Sequence, residues 1–306
     1  MQRLTLLVLL LAAAQGCLPA DDRPEPGSVL VNVQRSEVGV DGFTTDDGWT
    51  ISFDRFVTAI GDMGLTGDGC VDYSNATYDR LYDFTVADYS KVSLHYGLGP
   101  CTIGFSIAGP QEDAILMAGV TPADRTLMST RATDLLQDGH ERPVSVMVVG
   151  RAVHADETKQ FSWLIRGSRH VGACYTPARD TNLSAIELNA GDSSARDLEV
   201  RPQELFRHTP SLAAALEFER LAQADKNGDG IVTLAELAAV PVSAAEIIAD
   251  LADEMPDRSA ADIAQAVGST PTLASLVFSI LSTRIVAFAG AGECVFGERS
   301  RDFGAF

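Results

Sequence analysis

From residue 28 to residue 203, hydrophobic side chains recur at every second position over many short stretches of the chain. Trp49, Ile51 and Phe53, for example, alternate with polar residues. A period of two is typical of β-strands that bury one face and expose the other. The same alternation recurs in segments 29–33, 92–96, 101–107, 144–153, 161–165, 185–188 and 198–200. Many short strands separated by glycine-rich turns predict an antiparallel β-sandwich over residues 28–203, in which 185–188 pairs with 198–200.

From residue 204 onward the hydrophobic period becomes helical. Ser243 and Glu246 have the spacing of a capping box at the start of a helix. Further helices are predicted at residues 260–267 and 272–290, the second of them buried, with a membrane span as the alternative for that apolar run. The fold class predicted is therefore α+β, an N-terminal antiparallel β-sandwich followed by a small C-terminal helical domain at residues 204–306.

The start of the chain is typical of an exported protein. Arg3 precedes an apolar run at residues 4–14, which is too short to span a bilayer, and small residues follow it. This pattern predicts a secretory signal peptide at residues 1–16. The segment that ends at Cys17 resembles the lipobox of bacterial lipoproteins, although Ala14 stands where those proteins usually have leucine. The resemblance implies lipidation of Cys17; ordinary cleavage, with Cys17 left as a thiol, is the alternative.

A lipid on Cys17 would place the protein in the cell envelope. Acyl chains bind a membrane through their buried methylene groups, and several chains anchor a protein stably. Residues 17–27 are rich in proline and charge, which predicts a flexible tether between lipid and folded chain. An aspartate directly after the lipidated cysteine would resemble an inner-membrane retention signal, but this chain has Leu18 at that position. We therefore expect an exported protein anchored at the bacterial outer membrane or cell surface, with a periplasmic location as the alternative.

Cysteine usage agrees with export. Removing Cys17 from the five cysteines leaves an even number, as disulfide bonding requires, and disulfides persist outside the cytoplasm. The four that remain are Cys70, Cys101, Cys174 and Cys294. The first two are close in sequence and border predicted strands, so the favoured pairing is Cys70 with Cys101 and Cys174 with Cys294. Buried free thiols are the alternative.

Composition narrows the classes of partner. The chain has 306 residues, of which 46% are hydrophobic and 21% charged, as is typical of a globular protein. Its formal net charge of −19 repels nucleic-acid phosphates, which disfavours a nucleic-acid partner. The same charge suits solubility outside the cell, and a bound cation would offset part of it.

Residues 225–236, DKNGDGIVTLAE, place oxygen donors at alternate positions of one short turn. A hard cation such as Ca²⁺ needs six to eight oxygens, and this spacing can supply them. Gly230, at position 6, permits the sharp bend. The expected ligands, at positions 1, 3, 5, 7, 9 and 12, are Asp225, Asn227, Asp229, Ile231 through its carbonyl, Thr233 through a water, and Glu236. A surface turn that binds nothing is the alternative, because Asn, Asp and Gly are also common turn residues.

This pattern resembles the calcium-binding loop of the EF-hand superfamily, and the resemblance covers about residues 211–242. It implies an entering helix capped by Ser211 and an exit helix after the loop, which Pro241 ends early. No second loop follows, so residues 231–233 have no evident partner strand. A single site of this kind implies calcium affinity of about 10⁻⁵ to 10⁻³ M. That range favours a structural role for calcium over the role of a sensor.

Catalytic patterns are scarce. Ser106 lies in a predicted strand with the wrong spacing for a nucleophile elbow and is expected to face solvent. His154 and His170 flank one strand region, but the five histidines include no metal-binding pair. The sequence therefore favours a binding or structural module over an enzyme, with an unknown protein or glycan as its ligand. Segment 70–89, rich in tyrosine and aspartate, is the first place to expect that ligand. The alternative is a calcium-dependent exported hydrolase with a site in the β-sandwich loops.

Overall fold

The computed structural model describes residues 24–74, 78–86, 90–133, 140–178, 180–254, 259, 261, 271–288 and 293–297. The predicted signal peptide, Cys17, most of the tether and most of the helix expected at 260–267 lie outside this part of the chain.

The described chain is mostly β-structure. Its strands are β1 (Gly27–Arg35), β2 (Phe43–Thr44), β3 (Thr50–Thr66), β4 (Val71–Asp72), β5 (Arg80–Asp83), β6 (Ser90–Ile107), β7 (Ile115–Leu116), β8 (Ala132–Thr133), β9 (Glu141–Arg142), β10 (Val144–His154), β11 (Glu157–Arg166), β12 (Arg169–Tyr175), β13 (Ala185–Leu188), β14 (Ser193–Val200), β15 (Ile231–Val232), β16 (Val286–Phe288) and β17 (Glu293–Gly297).

Fifteen of these strands form one large mixed sheet, which curls on itself. Its main path runs β15-β11-β10-β3-β6-β1-β14-β16, and β12, β13 and β17 attach through β6 and β12. Most pairs are antiparallel, but β1 with β14, β11 with β15 and β5 with β7 are parallel. The predicted antiparallel β-sandwich is therefore wrong. Alternation along a strand shows which face is buried, but it does not show which strands pair.

The helices are short and form no separate layer in the described chain. They are α1 (Glu37–Val40), α2 (Pro122–Ser129), α3 (Glu219–Ala222), α4 (Leu234–Ala238), α5 (Ala244–Glu254) and α6 (Leu273–Arg284), with a 3-10 turn at Pro202–Phe206. The capping interaction predicted for α5 is present in part, since Ser243 Oγ accepts the N–H of Glu246 at 3.3 Å. No described helix combines the length and apolar character needed to cross a membrane.

The predicted C-terminal helical domain is also wrong. Three strands from this half of the chain belong to the large sheet: β15 pairs with β11, β16 with β14 and β17 with β12. The apolar run after residue 272 forms α6 only as far as Arg284, and its next residues become β16. Apolar residues at nearly every position fit a buried strand as well as a buried helix, so periodicity could not separate the two.

Strand pairing also differs locally from expectation. The predicted strands 92–96 and 101–107 are parts of one long strand, β6. The strands β13 and β14 do not pair with each other; β13 pairs with β6, and β14 pairs in parallel with β1. The parallel pair requires a long connection between its strands, which a local turn signal does not reveal.

The hydrophobic core is shared by both halves of the chain. Phe206, from the 3-10 turn, is fully buried and lies among aromatic rings of the sheet. Its neighbours, with ring centroids within 6.1 Å, are Phe43, Phe53, Phe161, Trp163 and Phe218. One buried cluster therefore includes strands of the N-terminal part and the segment that precedes the 225–236 loop.

Two disulfide bonds fasten the sheet. Cys70 is bonded to Cys101, and Cys174 to Cys294, as the favoured pairing has them. The second bond joins residues 120 positions apart, at the paired strands β12 and β17.

Candidate functional site

The 225–236 loop lies against the edge of the large sheet. Its strand β15 pairs in parallel with β11, with Ile231 opposite Gln160 and Val232 opposite Phe161. Trp163 Nε1 also donates to the carbonyl of Val232 at 2.9 Å. The partner strand that the sequence did not reveal is therefore β11.

The chain that enters the loop is fixed at a second point. Helix α3 has four residues, and its first N–H groups bond to Asp47, whose Oδ2 accepts from Phe218 at 2.8 Å and from Glu219 at 2.7 Å. The entering helix expected to start at Ser211 is wrong, because residues 211–218 are not helical. Backbone N–H groups at a helix start need acceptors, and a carboxylate from another element satisfies them here.

Side-chain oxygens order the first half of the loop. Asp225 Oδ1 accepts the N–H of Gly228 at 2.8 Å and of Asp229 at 3.2 Å, while its Oδ2 accepts the N–H of Gly230 at 3.0 Å. Asn227 Oδ1 accepts a second bond from Asp229 N–H at 2.8 Å. Gly228 and Gly230 have φ of 72° and 81°, in the left-handed region that favours glycine. The side-chain oxygens at positions 1 and 3, which are expected metal ligands, are thus held on the inner side of one bend.

The carbonyl of Ile231 faces away from β11. Gln160 N–H donates to the carbonyl of Gly230 at 2.8 Å, so the carbonyl that bonds to β11 at this point is that of Gly230 and not that of Ile231. The N–H of Ile231 donates instead to Asp229 Oδ1 at 2.8 Å, within the loop. Since N–H and C=O of one strand residue point to the same side, this carbonyl lies on the loop side, where position 7 would act as a ligand.

Thr233 and Glu236 form a capping box at the start of α4. Glu236 Oε2 accepts the N–H and the hydroxyl of Thr233, each at 2.9 Å, and Thr233 Oγ1 accepts the N–H of Glu236 at 3.2 Å. The other carboxylate oxygen, Oε1, is buried and has no hydrogen-bond partner. A buried carboxylate oxygen without a partner is costly, and a cation would satisfy it.

Lys159 of β11 contacts the first loop residue. Its Nζ lies 2.8 Å from Asp225 Oδ2 and 3.0 Å from Glu157 Oε1. The hydrogen bond from Lys159 and the N–H groups of Gly230 and Gly228 hold the pKa of the Asp225 carboxyl below its ordinary value. The carboxylate is therefore ionised, as a metal ligand must be, but a protein cation lies beside it.

The donors of the loop fit a hard divalent cation. Carboxylate, amide and main-chain oxygens are what Ca²⁺ prefers, and the loop contains no competing soft ligand. Among the described residues, no group of three or more His, Cys, Asp and Glu side chains is arranged to hold a metal ion. A calcium site here would therefore also need the side-chain oxygen of Asn227 and the main-chain carbonyl of Ile231, at positions 3 and 7 of the loop.

A second polar cluster joins residues far apart in sequence. Ser106 Oγ lies 3.2 Å from His170 Nδ1 and 3.5 Å from Asp62 Oδ2. Asp62 has φ of 48°, at an irregularity in the pairing of β3 with β6. Sequence reasoning expected Ser106 to face solvent, but it is 4% exposed. These two contacts bring a serine, a histidine and a carboxylate from β6, β12 and β3 together at one point.

No protein-family model, curated protein or solved structure matches this chain.

Proposed function

We propose that the protein is a calcium-binding, lipid-anchored component of the cell envelope, in which calcium stabilises the attachment of the 225–236 loop to the sheet. The observation that carries this proposal is the buried, unpartnered Oε1 of Glu236, at the last ligand position of a loop already bent by Asp225 and Asn227. Calcium at this loop would offset negative charge of a strongly acidic chain and fix β15 on β11.

The five cysteines support both export and anchoring at a membrane. The two disulfides fit an oxidising compartment outside the cytoplasm. The four cysteines that they use leave Cys17 as the remaining one, in the segment that resembles a lipobox. Attachment of lipid to Cys17 therefore remains the proposed means of anchoring at the outer membrane or cell surface.

Calcium is expected to raise the stability of the protein. Millimolar calcium at a site of the affinity expected above would add about 1–3 kcal/mol to the free energy of unfolding by mass action, which corresponds to a few degrees in melting temperature. Asp225→Ala with Glu236→Ala is expected to abolish this increase, because two ligand positions are lost. Thermal unfolding followed in calcium and in chelator measures both effects.

The matched control removes two carboxylates outside the loop. Glu112→Ala with Asp113→Ala makes the same change in net charge at exposed positions. We expect this variant to keep the calcium-dependent increase. A melting curve of the unmodified protein that is identical in millimolar calcium and in chelator would contradict the proposal.

Lys159→Met is expected to tighten calcium binding about tenfold, because it removes a positive charge that lies beside Asp225. Methionine retains much of the aliphatic length of the side chain. Titration calorimetry with calcium measures the affinity. Lys226→Met is the control, since Lys226 is an exposed cation at position 2 of the same loop. Equal effects of the two substitutions, or weaker binding by Lys159→Met, would show that the contact with Asp225 does not limit affinity.

A further inference from the structure

A cavity of about 360 Å³ opens where the end of β3, the segment after β4, and strands β5 and β6 come together. This volume is near the small end of the range for ligand pockets, roughly 300–1,000 Å³, and fits one or two rings. The lining residues are Met63, Tyr73, Ser74, Tyr78, Arg80 and residues 92–96. The cavity is distant in sequence from the 225–236 loop and has its own chemistry.

Exposed apolar side chains form the mouth of the cavity. Tyr78 is 57% exposed, Leu94 49% and Tyr96 44%. Two hydrogen bonds join the backbone of residues 73–74 to that of Tyr96: Tyr73 N–H donates to the carbonyl of Tyr96, and Tyr96 N–H donates to Ser74 Oγ, each at 2.9 Å. Tyrosine rings offer a large contact area at a low cost in side-chain entropy, together with hydroxyl groups for polar contacts.

Arg80 supplies a positive charge to this cavity. Its Nη1 donates to the carbonyl of Val92, which holds the guanidinium in place. Among the described residues, no carboxylate forms an ion pair with Arg80, although acidic residues outnumber basic ones by 42 to 23 in the whole chain. Asp72, which precedes the lining residue Tyr73, accepts the N–H groups of Leu65 and Ser74, at 2.9 and 2.7 Å.

His95 adds a buried polar group to the cavity. It is 1% exposed, and its Nε2 lies 2.8 Å from Ser93 Oγ. Its other ring nitrogen, Nδ1, has no hydrogen-bond partner. Buried polar atoms of native proteins are usually paired, so an unpaired nitrogen beside a cavity is a candidate contact for a ligand hydroxyl.

We propose that this cavity binds a small ligand that carries a carboxylate on a ring. Tyr78 would stack on the ring, Arg80 would pair with the carboxylate, and His95 would accept from a hydroxyl. Arginine binds carboxylates with directed, charge-assisted hydrogen bonds, which is why the anion is favoured in a protein that is otherwise acidic. Two sources share this chemistry, a uronic acid of an acidic glycan and an aromatic acid.

Titration calorimetry on the disulfide-bonded protein tests the proposal with two matched pairs of probes, glucuronate with glucose and benzoate with benzyl alcohol. We expect at least one acid to bind about tenfold more tightly than its neutral partner, which is the effect of one good charge-assisted hydrogen bond. The pair that shows the difference identifies the source. Arg80→Gln is expected to remove the difference and leave weak binding of both members.

Two further variants separate recognition from folding. Tyr78→Ala, at an exposed position, is expected to weaken binding of every probe several-fold without changing the melting temperature. Leu127→Ala, an exposed apolar residue of α2 outside the cavity, is the control and is expected to bind as the unmodified protein does. Equal affinity for acid and neutral probes, no binding of any probe at millimolar concentration, or a Tyr78→Ala variant with unchanged affinity would each overturn the proposal. None of these outcomes bears on calcium binding.

Discussion

Phe206→Ala is expected to lower the free energy of unfolding by about 3–5 kcal/mol, as large-to-small substitutions of buried aromatic residues do. Phe206 is fully buried and lies at the centre of an aromatic group, so the lost ring leaves a cavity that its neighbours cannot fill. The residue belongs to the half of the chain that the sequence assigned to a separate domain. Because it packs on the sheet, the whole described chain should lose stability together.

Denaturant unfolding followed by tryptophan fluorescence and by far-ultraviolet circular dichroism measures this effect. Phe206→Leu, which keeps most of the apolar volume, is expected to cost less than half as much. Leu127→Ala, at an exposed position, should change stability little. Two separate transitions, with Phe206→Ala shifting one of them alone, would contradict a core that is shared by both halves.

Replacing Cys174 and Cys294 together by serine is expected to cost about 2–5 kcal/mol. The bond closes a loop of 120 residues, so its loss gives the unfolded chain much conformational freedom. It also removes the covalent link between β12 and β17, which are then joined by their backbone pairing alone, and it leaves two hydroxyl groups where the sulfur atoms are buried. Thermal unfolding of the double variant, compared with the unmodified protein, measures the loss.

The matched control is the double replacement of Cys70 and Cys101, whose bond closes a sequence separation of 31. The chain-entropy argument predicts a smaller loss for the shorter loop. Should the Cys70 and Cys101 variant be the less stable of the two, local packing and not loop closure would determine what these bonds contribute.

The sequence predicted local features well because their causes are local. Alternating side chains located β1, β10 and β11, and the Ser243 capping position marked the start of α5. Pairing between distant strands has no such local cause. The parallel pair of β1 with β14 joins residues more than 160 positions apart, as in Ser28 with Ser193, and no turn signal connects them.

The C-terminal strands show a second reason for the wrong division into domains. β15 has two residues and β16 has three, which is too short for alternation to be recognised. The apolar residues of β16 were therefore included in the helix predicted at residues 272–290. Residues 231–233 were expected to form a short strand, but their partner was not. The tertiary contacts, β15 on β11 and β16 on β14, determine both outcomes.

The candidate calcium site likewise has some residues that the sequence predicted and others that it could not. The ligand positions from Asp225 to Glu236 follow from spacing within one turn. The ammonium group of Lys159 and the anchoring carboxylate of Asp47 come from strands and turns that are distant in sequence, so the motif alone could not indicate them. The cavity beside Arg80 was predictable in part, because it is lined by Tyr73 and Tyr78 of segment 70–89, where the sequence predicted a ligand.

The position of β15 at the end of the sheet has a consequence for self-association. β11 is a strand of ten residues, and on its outer side β15 pairs with two of them, Gln160 and Phe161. If the loop detached, those backbone groups would become a template for a strand of another molecule. A cation that keeps β15 paired with β11 would then protect the protein from aggregation. Loss of that cation would cause aggregation before it caused unfolding.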